Sequence, residues 1–274
     1  MPLSRFASSR PTLNRLKTMW QGQSVSIILP KHSEKDSTAQ CVLDFHAMGV
    51  VDEVIVINNC AAPGTLEEVA KTPAREVLDP RQGCGNAIQC GFREVTGDLL
   101  VVCEPDGTFS ARDLWKLLAY SAECDVVSGT RATEEFIWTG ANMGFFLKWG
   151  NYAVAKMMEL MFNTGYLSDA GRTYRLIRRP LLKEIAPSFT VGGSQFGPEM
   201  MLITVIKGAR LVQIPINHRT RVGESAVTGS RPTAFLLGPR MIAMIWAFWL
   251  RSLGARLRAG PPFGAPLGRA RIEI

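Results

Sequence analysis

Two carboxylates one residue apart, Glu104 and Asp106, follow directly on the apolar run Leu99–Cys103 (LLVVC). Aliphatic, β-branched runs of that length read as buried strands. An acid pair leaving such a strand can reach one hard divalent cation, because Mg2+ and Mn2+ take carboxylate oxygens together with phosphate oxygens. A Glu-x-Asp can equally be a solvated turn, and its place after a buried run is what points to metal. Other polar groups stand in comparable places. Val25–Leu29 (VSIIL) runs into Pro30, Lys31, His32, Ser33 and Glu34, Val54–Ile57 (VIVI) into Asn58 and Asn59, and Asp125–Ser128 into Gly129, Thr130 and Arg131. Arg81–Ala87 (RQGCGNA) is a glycine-rich turn opening a helical stretch, where N–H groups attract phosphate. Close helix–strand packing accounts for those glycines equally well. It is not a dinucleotide fingerprint, since the third glycine and the later acid are missing.

The elements that must position these groups alternate. Helical periodicity over Ala39–Met48, Ala87–Glu94 and Ala111–Ala122 separates the four apolar runs, which predicts βαβ units and a parallel sheet covered on both faces. Ligands of such sheets bind at the carboxyl ends of the strands, where the polar groups above collect. After Arg131 the pattern changes to a long helix over Phe145–Phe162, a strand at Thr173–Ile177, a helix over Pro198–Lys207 and a last strand at Leu211–Ile214.

The totals bound the class. The 274 residues are 46% hydrophobic and 20% charged, as in a folded globular protein rather than a disordered one. The net charge of +7 is uneven: residues 207–274 carry eleven Lys and Arg against Glu224 and Glu273, and the first twenty residues are basic without an acid. Basic ends on a near-neutral body suit an anionic surface. A membrane fits better than nucleic acid, because no nucleic-acid motif occurs and the basic end is also apolar. Six cysteines without a CxxC pair or a secretory signal read as reduced thiols of a cytosolic protein. No segment has the apolar length of a spanning helix. Met241–Leu250, bracketed by Arg240 and Arg251 and holding Trp246, Phe248 and Trp249, reads either as a helix lying in a membrane interface or as a core helix. The expected organisation is a basic tail over 1–22, a catalytic domain over 23–230, an amphipathic membrane-surface helix over 231–259 and a loose tail over 260–274. The chain is then cytoplasmic and peripheral to the membrane.

Across roughly 24–230 the chain resembles the family 2 glycosyltransferases of GT-A fold, in their dolichol-phosphate mannosyltransferase-like branch. The segments that carry this are ILPKHSE, VINNCAAPGT, GCGNAIQCGF, the EPD of LLVVCEPDGTF, SGTR, SDAGRTYRLIRR, QFGPEMMLITVIKGARLVQIPI and RVGES, in the family's order. The resemblance implies a Rossmann-like, mostly parallel sheet flanked by helices. It implies a nucleotide-sugar donor held by Pro30, His32, Glu34, Ile57, Asn58 and Pro105, and Mg2+ or Mn2+ on Glu104 and Asp106. Arg131, Arg175 and Arg221 would handle phosphate charge, and the acceptor would be a polyprenyl phosphate. The chain departs from the pattern at Glu104 and Asn58, where the family has Asp. It departs also at Ser33, at Thr173, at Thr108 where a metal-binding Gln can occur, and at Ala226 where Lys often follows.

Two other readings stand beside this one. The acceptor could be a hydroxyl of a glycan, lipid or small molecule, which needs a general base, and Glu199 is the candidate. Glu199 could also orient the acceptor or cap the start of its helix. Alternatively the chain is a catalytically silent membrane scaffold that keeps the fold. His218 has no partner pattern, and Met157, Met158, Met161, Met200 and Met201 read as core residues.

Overall fold

Val25–Lys31 forms strand β1, and every one of its residues is buried. That fits a run of aliphatic residues lying in mid-sheet with helices on both sides. The computed structural model describes residues 19–31, 35–59, 65–130, 145–220 and 231–259. The helix α1 (Lys35–Ala47) leads to β2 (Glu53–Asn58), then come α2 (Thr65–Ala70), β3 (Arg75–Leu78), α3 (Cys84–Glu94) and β4 (Leu99–Val102). The chain continues through α4 (Leu114–Ala119), β5 (Val126–Thr130), α5 (Phe145–Phe162), β6 (Arg175–Arg178), α6 (Arg179–Ile185), α7 (Phe196–Ile206), β7 (Leu211–Pro215) and α8 (Arg231–Ala259).

The seven strands lie in the order β3-β2-β1-β4-β6-β5-β7. All neighbours pair in parallel except β6, which runs antiparallel between β4 and β5. The sheet is thus mostly parallel and flanked by helices, as expected, with one reversed strand that apolar runs alone could not orient. Antiparallel β6 begins where β4 ends, with Arg175 opposite Val102. The short strand β3 and the helices α2 and α6 carry no periodic signal of their own.

Alternation along the strands divides the interior into two layers. Ile28, Ile55, Leu100 and Ile177 face α3, α5, α6, α7 and α8, whereas Ile27, Val56, Val101 and Leu176 face α1, α2 and α4. Met158, Met200 and Met201 are core residues of the first layer. The glycines around α3 serve packing. A methyl group on Gly91 would overlap the Ile28 side chain, and one on Gly85 would overlap Phe196 and the backbone of Val191 and Gly192. The Asn86 amide in the first turn of α3 donates to the Gly192 carbonyl at 2.9 Å. The glycine-rich turn therefore seats a helix against a strand and a neighbouring loop, and that amide is not offered to phosphate.

Helix α8 has two faces. Met241, Ile245 and Phe248 are buried in the first layer, so the segment Met241–Leu250 does pack on the core. Ile242, Trp246, Leu250 and Leu253, spaced about one turn apart on another face, are exposed, Trp246 to 48% and Leu250 to 58%. No described helix is long and apolar enough to cross a membrane.

Gly91→Ala tests the packing account. Helix propensity alone would favour alanine by about 1 kcal/mol, yet overpacking against stiff, fully buried Ile28 should leave a net loss of about 1–3 kcal/mol in urea unfolding. A variant as stable as wild type contradicts it.

Candidate active site at the strand ends

The polar edge of the sheet is created where β4 leaves it. In the parallel ladder the Ile28 carbonyl accepts from the Cys103 amide at 3.0 Å. Two residues on, the same edge of β1 carries Pro30, which has no N–H with which to continue. The chain after Cys103 is released into Glu104, Pro105 and Asp106. That loop is fixed by its neighbours: Ser37, in the first turn of α1, donates its hydroxyl to the Pro105 carbonyl. Asp106 is 1% exposed. Its Oδ1 accepts from the Thr108 amide at 3.0 Å and from the Thr108 hydroxyl at 2.6 Å, a turn that Gly107 permits at φ 78°. Glu104 is half-buried at the mouth of the loop. Thr108, at a position read as a possible metal ligand, instead donates to Asp106.

The adjoining strand ends are tied into the same edge. Pro30 lies opposite Ile57, and Lys31 opposite Asn58. The Asn58 amide group donates to Glu76 on β3 at 2.8 Å. Asn59 accepts from the Gly83 amide at 2.8 Å and donates to the Asp79 and Arg81 carbonyls. Arg81 grips Asp79 through Nε and Nη2, each at 3.0 Å, and this hydrogen-bonded contact holds the Asp79 carboxyl below the usual carboxylate range. At the end of β5, Thr130 and Ser168 share a hydroxyl hydrogen bond of 2.7 Å. Gln213 on β7 accepts from the amides of Ser168 and Asp169 and donates to the Asp169 carbonyl.

Of the residues expected to form the site, Pro30, Asn58, Glu104, Pro105 and Asp106 thus share one edge of the sheet. The Ile57 side chain does not join them, because it is fully buried in the apolar layer. His32, Glu34, Arg131 and Arg221 lie outside the described residues. Among the described residues no cluster of three or more His, Cys, Asp and Glu side chains comes together to hold a metal.

Two of the expected site residues are bound to backbone groups. Arg175 is 2% exposed and bridges two chain segments, with Nη1 donating to the Gly197 carbonyl at 3.0 Å and Nη2 to the Arg172 carbonyl. Desolvation pushes its pKa down to about 10, so it stays charged at neutral pH. The guanidinium ties the start of α7 to the segment before β6 through two carbonyls, while its Nε has no partner among the described residues. Glu199 is fully buried, and its carboxylate accepts from the Thr190 amide and hydroxyl and from the Val191 amide. It anchors the loop before α7, a carboxylate committed to these three donors, and it does not cap its own helix.

Two residues at this edge were not singled out from sequence. Lys31 is buried at the end of β1, although a lysine in a strand tail usually reads as solvated. Arg172, on the opposite face from Arg175, lies over the Phe109 ring at 4.4 Å beside the acid loop. Period-two alternation from Arg175 was the signal that would have found it.

Comparison with known proteins decides the family: residues 26–186 match the glycosyl transferase family 2 profile. The chain belongs to glycosyl transferase family 2. Among its relatives, a low-salt glycan biosynthesis hexosyltransferase of Haloferax volcanii is 26% identical over 264 residues, 92% of this chain and 62% of the relative. The chain thus spans less than two thirds of that protein. An undecaprenyl-phosphate mannosyltransferase of Micrococcus luteus is 26% identical over 251 residues, 86% of this chain and 99% of the relative. The resemblance to the dolichol-phosphate mannosyltransferase-like branch of family 2 accords with these relatives. The fold matches a crystal structure of glucosyl-3-phosphoglycerate synthase from Mycobacterium tuberculosis in complex with Mn2+, UDP and phosphoglyceric acid. The TM-score is 0.66 at 17% identity, over 88% of this chain and 84% of that one, which establishes the GT-A architecture.

The bracing role of Arg175 has a direct test. Arg175→Lys keeps the charge but cannot span both carbonyls, so thermal unfolding without any ligand should show a loss of about 2–4 kcal/mol. Unchanged stability would contradict that role.

Proposed function

We propose that this family 2 enzyme moves a hexose from a nucleotide sugar, GDP- or UDP-linked, to a polyprenyl-phosphate acceptor, inverting the anomeric centre. Mg2+ or Mn2+ would sit on Glu104 and Asp106. The observation that carries the reading is Asp106, a buried carboxylate immobilised by Thr108 at the lip of a parallel sheet, with Glu104 two residues before it. Two hard oxygen donors of different reach, one of them locked in orientation, fit a divalent ion whose remaining ligands are diphosphate oxygens. When bound, such an ion neutralises the charge that develops on the departing nucleoside diphosphate.

The chain's own groups would divide the work. Pro30 and Asn58, at the ends of β1 and β2, would border the donor nucleotide, and His32, Glu34 and the backbone at Ile57 are the further contacts the family resemblance implies. Pro105 sets the direction in which Glu104 and Asp106 leave the strand. Arg131 and Arg221 would meet phosphate charge. A phosphate oxygen of the acceptor attacks the anomeric carbon, and the bond to the diphosphate breaks with its electron pair leaving on the nucleotide. That oxygen is already anionic, so no proton has to be removed. The commitment of Glu199 to Thr190 and Val191 supports this base-free route over transfer to a hydroxyl. The acceptor class rests on the relative named for undecaprenyl phosphate.

The same reading sets the enzyme peripherally on a membrane, facing the cytoplasm, where a lipid-linked acceptor is presented. The outer face of α8 supports it, since Trp246 and Leu250 are exposed on a helix that carries five arginines and no acid.

Asp106→Asn keeps an acceptor for Thr108 but removes the charge. With a panel of radiolabelled GDP- and UDP-sugars, it should lose about 100-fold or more of the Mn2+-dependent transfer into the lipid-phosphate fraction, with unchanged melting in the absence of ligand. Full activity of the variant, or label from wild type entering only water-soluble product, overturns the reading. Separately, Trp246→Ser with Leu250→Ser should weaken co-sedimentation with phosphatidylserine vesicles about tenfold or more, and equal binding contradicts the surface assignment.

A further inference from the structure

We infer that Arg172 is a positioning residue for the acid loop, clamping it through Phe109 and bringing a fixed cation to its back. Arg172 and Arg175 fall on opposite faces because they lie three positions apart in the segment that leads into β6. Arg175 goes to the α7 side. Arg172 goes to the side of α1, where Tyr174, two residues on, is also buried. There its guanidinium lies over the face of Phe109 at 4.4 Å, and Nη2 donates to His218 Nδ1 at 2.8 Å. A guanidinium has no acceptor, so His218 must present Nδ1 as a lone pair and carry its proton on Nε2. Arg172 is itself buried.

Each neighbour of this stack leads back to the acids. Phe109 follows Thr108, whose amide and hydroxyl hold Asp106. The Phe109 ring also meets Tyr174 edge-on at 5.1 Å, and the Tyr174 hydroxyl donates to the Ser110 carbonyl at 3.4 Å. Next to His218, the Arg219 amide donates to the Thr108 carbonyl at 2.9 Å, and Arg219 Nη2 donates to the Ser110 hydroxyl at 3.4 Å. The segment after β7 and the segment before β6 therefore close on residues 108–110 from two sides, and Arg172 is the side chain that joins them. A cation–π contact withdrawn from water is directional, so it fixes the ring and with it the turn that aims Asp106. The functional half of this inference rests on the proposed donor site, and the mechanical half does not.

Hydrogen exchange of the full chain tests the mechanical half. Relative to a β1 peptide over 25–31, amides over 106–110 should exchange about fivefold or more faster in Arg172→Gln. Phe109→Leu, which keeps the arginine and an apolar side chain, should act in the same direction, and Arg172→Lys should fall between. Exchange equal to wild type in Arg172→Gln and Phe109→Leu overturns the inference. If Arg172→Gln does not fold, Arg172→Lys and Phe109→Leu decide. The functional half is read from melting shifts with Mn2+ plus UDP or GDP: the nucleotide concentration for half-maximal shift should rise about tenfold in Arg172→Gln. A wild-type chain that shows no such shift sinks the donor site while the exchange result still decides the role of Arg172. A normal shift in a variant with a loosened loop removes the functional half.

Discussion

The carboxylate of Asp106 accepts from the amide and hydroxyl of Thr108 at the point where the central strand β4 leaves the sheet, and the neighbouring segments converge on that pair of bonds. A charged group that is 1% exposed has no water shell to hold it, so its direction is set by its donors. Thr108 is held in turn by the Arg219 amide, and Pro105 by Ser37 on α1. The loop is a short lever with both ends pinned, carried on four consecutive buried aliphatic residues of β4. That is the rigidity a metal-and-phosphate site would require of its first ligands.

Around this constraint the remaining polar groups are sorted by which face of the sheet they reach. Arg172 and Arg175 have the same chemistry and lie three residues apart, yet one stacks behind the acid loop and the other ties the start of α7 to the segment before β6. Glu199, fully buried, does for the loop at 190–191 what Thr108 does for its own turn, with donor and acceptor reversed. A buried charge bound to backbone groups ties the segments that carry those groups together.

Much of the architecture was legible because its signals are long. The apolar runs of β1, β2, β4 and β5, and the helix at Phe145–Phe162, stand out by length and period. The placement of Glu104 and Asp106 followed from the run before them. What could not be read depends on contacts distant in sequence. The reversal of β6 is decided by pairing with β4 and β5, not by its own four residues. The glycines at 83 and 85 resemble a phosphate loop in one dimension and prove to be sites of close approach in three. Arg175 ends a motif of the resemblance, whereas the facing of its side chain depends on the strand register. Thr108 looked like a substituted ligand and is a donor to the neighbouring acid.

The account comes down to whether Asp106 and Glu104 jointly hold a divalent ion together with a nucleoside diphosphate. A crystal grown with Mn2+ and UDP or GDP, measured at the manganese absorption edge, tests this most directly. The account predicts one anomalous peak about 2.0–2.4 Å from carboxylate oxygens of this pair, with the diphosphate completing the shell. A nucleotide bound elsewhere, or a manganese peak away from both carboxylates, would contradict it.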